Sequence, residues 1–273
     1  MARRKLSFAW LKAPKRGTDG KMSLADHLRE LRYRVIVSAI VIVVASIVMA
    51  IWYQQLYEVL MLPYQRALDL LNESNANLTP LTVISGVAAP FTLAMQVCVM
   101  AGLTVASPFW LYQLWAYIVP ALHAREKKVT VMFLCSSIPL FLFGVGLGYF
   151  ILPRTISAMW AFTPSSVPIS NLLDVSAFLN LLVQFMLIVG IGFLIPVLLV
   201  CLNLAGVLSA KALDKSRSYV VFGIFVFGAL AAPSPDPFTM MFVALPLLAF
   251  YSVADLIAHL HDRGKHKKEL VEA

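Results

Sequence analysis

Charge is scarce in this 273-residue chain: 13% of residues are Asp, Glu, Lys or Arg, against 60% hydrophobic, and the mean hydropathy is +0.82. No water-soluble domain of this length keeps such a balance, which leaves a polytopic membrane protein. Ionisable groups at mid-depth are missing too. The second and fourth apolar segments carry Gln96 and Gln184 but no charge, whereas a proton or ion pump keeps one there. The five histidines, His27, His123, His259, His261 and His266, all fall at segment ends, which argues against an intramembrane protease or zinc hydrolase. No G-x-S-x-G, H-E-x-x-H or P-loop pattern occurs. The three cysteines, Cys98, Cys135 and Cys201, lie in apolar stretches without metal-ligand spacing and read as buried small hydrophobes. Neither catalysis, a cofactor nor a metal is called for.

What is present is a series of six apolar segments, roughly 35–53, 91–117, 129–152, 176–202, 219–232 and 238–259, each a helix because an open strand cannot satisfy its backbone in lipid. Residues 1–34 form a basic segment with an interfacial helix start, 35–259 a transmembrane domain and 260–273 a basic tail. Of the 22 Lys and Arg, 20 fall on one side of this arrangement and only Arg66 and Arg154 on the other. That bias predicts cytoplasmic termini, and it assigns the net charge of +8 to topology and anionic lipid rather than to nucleic acid. The fifth segment offers about 14 apolar residues, or about 21 Å, short of a hydrocarbon core of about 30 Å. It and the sixth are expected to be short helices, separated by the Pro-rich turn "APSPDPF" that exposes Asp236. Between the first two segments, Leu60, Pro63, Tyr64, Ala67, Leu70 and Leu71 mark an amphipathic helix.

Two carboxylates stand out on the basic side. Ser23 and Asp26 form a capping box, so a helix begins near Leu24. On it, Leu24, Leu28, Leu31 and Val35 share one face while His27, Glu30 and Arg34 share the next. The second carboxylate, Glu126, lies in "HAREKK". Each could form a local ion pair worth about 0.3–0.5 kcal/mol when exposed, or could receive arginines from a partner, since a carboxylate pairs with guanidinium in a geometry that lysine cannot copy.

The ordered motifs "MSLADHLRELRYR", "SPFWLYQLWAYIVPALHAREKK", "APSPDPF" and "LPLLAFY" resemble the TatC family, a subunit of the twin-arginine protein translocase. The resemblance spans about Met22 to His259 and implies an all-α, six-helix concave bundle with both termini cytoplasmic, in the inner membrane of a prokaryote. It further implies export of folded cargo driven by the proton-motive force. Glu30 and Glu126 would hold the Arg pair of a signal peptide, with Arg32, Arg125, Lys127 and the aromatic Tyr117 shaping the patch. Pro63 and Asp236 match outer-loop positions. Leu194 stands where many members carry Glu and Met240 where some carry Gln, so the surface for single-span TatA/TatB-type partners would be mainly apolar, with Gln184 its one buried polar contact. Association with copies of itself and with membrane lipid is also implied. The rival reading, a small-solute transporter, requires a polar substrate site at mid-depth.

Overall fold

The structure, a computed structural model, describes residues 24–74, 81–118, 127–160, 172–232 and 236–272. Nine α-helices account for nearly all of these residues: α1 (Leu24–Met49), α2 (Tyr53–Ser74), α3 (Ala89–Val105), α4 (Ser107–Ile118), α5 (Lys127–Trp160), α6 (Val175–Gly192), α7 (Leu194–Leu204), α8 (Ala210–Ala231) and α9 (Pro237–Glu272). A 3-10 turn, Ala50–Trp52, joins α1 to α2. Strands β1 (Leu81–Val83) and β2 (Leu172–Asp174) pair in parallel with Leu81 opposite Leu172. These strands were not expected. Three-residue segments are too short to carry a period-two signal.

Among the described residues, four stretches are long and apolar enough to cross a bilayer: Ala25–Leu70, Val129–Met159, Val175–Leu204 and Pro237–Gly264. The pair α3 and α4, bent by 61°, makes a fifth if counted as one span. The fifth expected segment is the apolar part of α8, whose first two turns carry Lys211, Asp214, Lys215 and Arg217. The expectation of a short sixth helix is corrected, because α9 runs unbroken for 36 residues and carries the basic tail as helix.

Two positions lack a backbone donor. Pro108 cannot donate to Thr104 O, and at the bend before it Leu103 O accepts from the Trp110 indole N–H at 3.0 Å. In α2, Pro63 is buried inside the helix and leaves Val59 O without its usual i+4 donor; the Tyr149 hydroxyl of α5 donates to that oxygen at 2.6 Å. The expected amphipathic face of α2 is buried at Leu60, Pro63, Tyr64 and Ala67, but Leu70 is exposed, a correction to the expected face, and the side chain of Leu71 lies outside the described residues. α2 packs mainly on α5, which also packs on α6.

The α5–α6 crossing depends on a G-x-x-x-G spacing, Gly144 and Gly148, which is legible in the sequence and was not singled out. A Cβ on Gly144 would meet Gly190 Cα at 2.8 Å, and one on Gly148 would meet Met186 Cα at 2.9 Å. The backbones therefore touch, and dispersion between them replaces the hydrophobic drive that lipid does not supply. Gly146, between them, has open space around its Cα. Gly144→Ala should lower stability by about 1–3 kcal/mol, while Gly146→Ala should be neutral or raise it through helix propensity. Thermal unfolding of the two variants in detergent checks this.

Candidate functional site

At the start of α1 the amphipathic order is inverted. Leu28 is 58% exposed and Val35 is also outward, whereas Glu30 is 4% exposed. The leucine face meets lipid and the polar face meets the protein. Arg34, one helical turn on, donates to Glu30 Oε1 from Nε at 3.0 Å and from Nη2 at 2.6 Å. Its remaining arm, Nη1, donates to Gln113 Oε1 of α4 at 2.8 Å. One guanidinium thus ties α1 to α4 through charge-assisted bonds. Beside it, His27 stacks on Tyr117 with ring centroids 4.5 Å apart and planes 17° from parallel. The bend at Ala106 is what turns α4 so that Gln113 and Tyr117 reach α1.

Of the sequence-derived patch, Glu30 and Tyr117 are brought to one end of the bundle, and Arg32 is exposed on α1. Glu126 and Arg125 lie outside the described residues; Lys127 is the first residue of α5. Gln113 and Arg34 were not proposed as site residues. Gln113 has no sequence signal, because its partner is 79 residues away.

The remaining candidates have local structural work. Asp236 caps α9, accepting from the Thr239 N–H at 2.7 Å, and Pro237 takes the first helical position. The Thr239 hydroxyl then meets that of Thr155 in α5 at 2.8 Å, a buried contact. Leu194 is 2% exposed, enclosed within the bundle rather than on a partner-facing surface. Met240 is partly exposed, and its carbonyl lies where a Cβ on Gly228 of α8 would approach to 3.0 Å. Gln184 is exposed, not buried, and donates to Asn180 Oδ1 at 3.2 Å; Gln96 of α3 donates to the same oxygen at 3.3 Å. Gln96 therefore links α3 to α6 as interhelical glue. Of the cysteines, only Cys201 is fully buried and Cys135 is exposed.

Two further polar clamps hold helix ends. Asp174 caps α6 through the Ser176 and Ala177 N–H groups and also accepts from the Ser85 N–H. Hydrogen bonding from Ser85, together with the two α6 amides, holds its carboxyl below the usual aspartate range. Between α8 and α9, His259 Nε2 meets Asp214 Oδ2 at 2.9 Å and Nδ1 meets Asp255 O at 2.8 Å. Both partners accept, so a ring protonated on both nitrogens satisfies them together.

Removing one member of the Glu30–Arg34 pair strands a largely enclosed charge. Glu30→Gln alone should cost about 3–5 kcal/mol, and a Glu30→Gln/Arg34→Gln double variant less than the sum of the singles, as a double-mutant cycle on detergent unfolding would read. Tyr149→Phe should cost about 1 kcal/mol, because it leaves Val59 O unsatisfied. In a Pro63→Ala background the same change should cost less, since the helix N–H returns.

The family model described as TatC: Sec-independent protein translocase protein (TatC) matches residues 26–246. The Sec-independent protein translocase protein TatC of Rothia mucilaginosa is 36% identical, the match covering 92% of this chain and 83% of that protein. Its counterpart in Escherichia coli is 29% identical over 90% of this chain and 92% of the relative. A crystal structure of a twin-arginine translocase receptor, TatC in DDM, superposes with a TM-score of 0.68 at 29% identity, covering 85% of this chain and 99% of the other.

Proposed function

This chain belongs to the TatC family of Sec-independent protein translocase proteins, and we propose that it is the subunit that receives the Arg-Arg signal peptide of folded cargo. The observation that carries this reading is that Glu30, enclosed at one end of the bundle, already holds a guanidinium, that of Arg34. An incoming arginine of the same chemistry could exchange with it at little electrostatic cost, whereas a lysine, a point charge with no fork, would not reproduce the geometry. Arg34 is then a resting occupant, and Gln113 is the group onto which it stays fastened when Glu30 is taken.

Glu126 is the second carboxylate of the receptor. It directly precedes α5, and α4 and α5, the helices on either side of its segment, pack on each other, with α4 also on α1. Arg32, Arg125 and Lys127 repel loosely fitting cationic peptides and favour one that fits. Tyr117, stacked on His27, forms the aromatic wall.

In the bilayer the chain has six spans with both termini cytoplasmic; support comes from the placement of 20 of 22 basic residues on one side. The α8 apolar part completes the six and thins the membrane beside it. Single-span TatA/TatB-type subunits assemble there, further copies of this chain join the complex, and the proton-motive force drives transport.

Export of a reporter bearing Arg-Arg or Lys-Lys tests the reading. Arg-Arg export should fall at least about tenfold in Glu30→Ala and in Glu126→Ala, as expected when one charge-assisted interaction is removed, and Lys-Lys export should be low throughout. Undiminished Arg-Arg export in both variants would remove the two glutamates as the site, and equal export of the two reporters would remove the receptor.

A further inference from the structure

Among the described residues, Arg66 of α2 and Arg154 of α5 lie together, far along the bundle from the Glu30 end. Both line one cavity of about 380 Å³, with Asp69, Leu70, Phe150 and Pro153. Arg154 is 27 residues along α5 from Lys127, about 40 Å at 1.5 Å per residue, which clears a hydrocarbon core of about 30 Å. Both side chains are exposed, and among the described residues neither guanidinium makes an ion pair or a hydrogen bond. A second cavity, of about 390 Å³, shares Phe150 and Arg154 with the first and continues between α5 and α9 along Leu147, Ile151, Ala158 and Phe242, with Asp236 also on its lining. Phe150, at the junction, is 63% exposed.

We propose that the joined cavities bind one phospholipid of the leaflet opposite the Glu30 end. Arg66 and Arg154 take its phosphodiester, and an acyl chain lies in the apolar groove beside Ile151 and Phe242. The two features match the two halves of that molecule: paired guanidinium groups for an anionic phosphate at the interface, and an apolar trough along Leu147, Ile151 and Phe242 toward the bilayer core. The carboxylates Asp69 and Asp236, which line the two cavities, disfavour a bare phosphomonoester and suit a headgroup that offers a hydrogen-bond donor, such as glycerol or ethanolamine. A lipid seated there would bridge α2, α5 and α9, filling the space beside the Thr155–Thr239 contact. This site is independent of the signal-binding end and stands whether or not Glu30 receives arginines.

Native mass spectrometry of the purified full chain in detergent, titrated with phosphatidylglycerol, tests it. One lipid should be retained, more tightly than phosphatidylcholine. Arg66→Gln/Arg154→Gln should weaken binding roughly 30-fold, because both cations that face the phosphate are removed, and Arg66→Lys/Arg154→Lys should keep most of it. Leu147→Trp, which fills the groove on the core side of Arg154 with both arginines intact, should also release the lipid. Retention at the wild-type level in the double Gln variant or in Leu147→Trp would overturn the proposal. Displacement of the lipid by millimolar inorganic phosphate would overturn it as well, by showing a free-anion site without an acyl trough.

Discussion

Lipid offers no hydrogen bonds, so every backbone donor and acceptor in this bundle must be satisfied by the protein itself. A proline inside a helix violates that requirement locally, and at Pro63 a tertiary partner repairs it. Pro63 leaves Val59 O to the Tyr149 hydroxyl, and the break at Ala106 leaves Leu103 O to the Trp110 indole. These repairs are also joints. The first binds α2 to α5; the second accompanies the 61° turn that brings α4 across to α1.

That turn makes the Glu30 end possible. Without it, Gln113 would not meet Arg34 and Tyr117 would not stack on His27. Glu30 would then be a surface acid one turn from an arginine, of little energetic consequence. Enclosed as it is, the carboxylate requires a cation, and the chain provides one in Arg34. The inversion of α1, with leucine outward and charge inward, has the same origin. Lipid solvates Leu28 and Val35 as well as a protein core would, so the polar residues take the protein side.

The opposite end is organised by caps. Asp174 and Asp236 each satisfy the first amides of a helix, α6 and α9, where the chain re-enters the bundle. Asp174 also receives the Ser85 N–H and so fastens the β1–β2 pairing. Between the two ends, close approach at Gly144, Gly148 and Gly190 sets the α5–α6 distance. The polar trio Gln96, Asn180 and Gln184 links α3 to α6 without placing a charge in the membrane.

Much of this was legible in one dimension. Hydropathy marked the segments, and the spacing of Leu60, Tyr64 and Ala67 found the buried face of α2. The oddity of Glu30 among arginines drew attention to a carboxylate that the structure encloses. Motif order carried the family, because it depends on local residue patterns. Contacts between distant residues were not legible: Arg34 with Gln113, Thr155 with Thr239 and Gly144 with Gly190 join positions 79, 84 and 46 residues apart. Nor was the inward turn of the polar face of α1, the burial of Leu194 or the exposure of Gln184. In water an apolar face predicts the core, but a bilayer is as apolar as the protein interior. Sequence therefore determined that these segments are membrane helices, and only tertiary packing decided which face of each one the protein keeps.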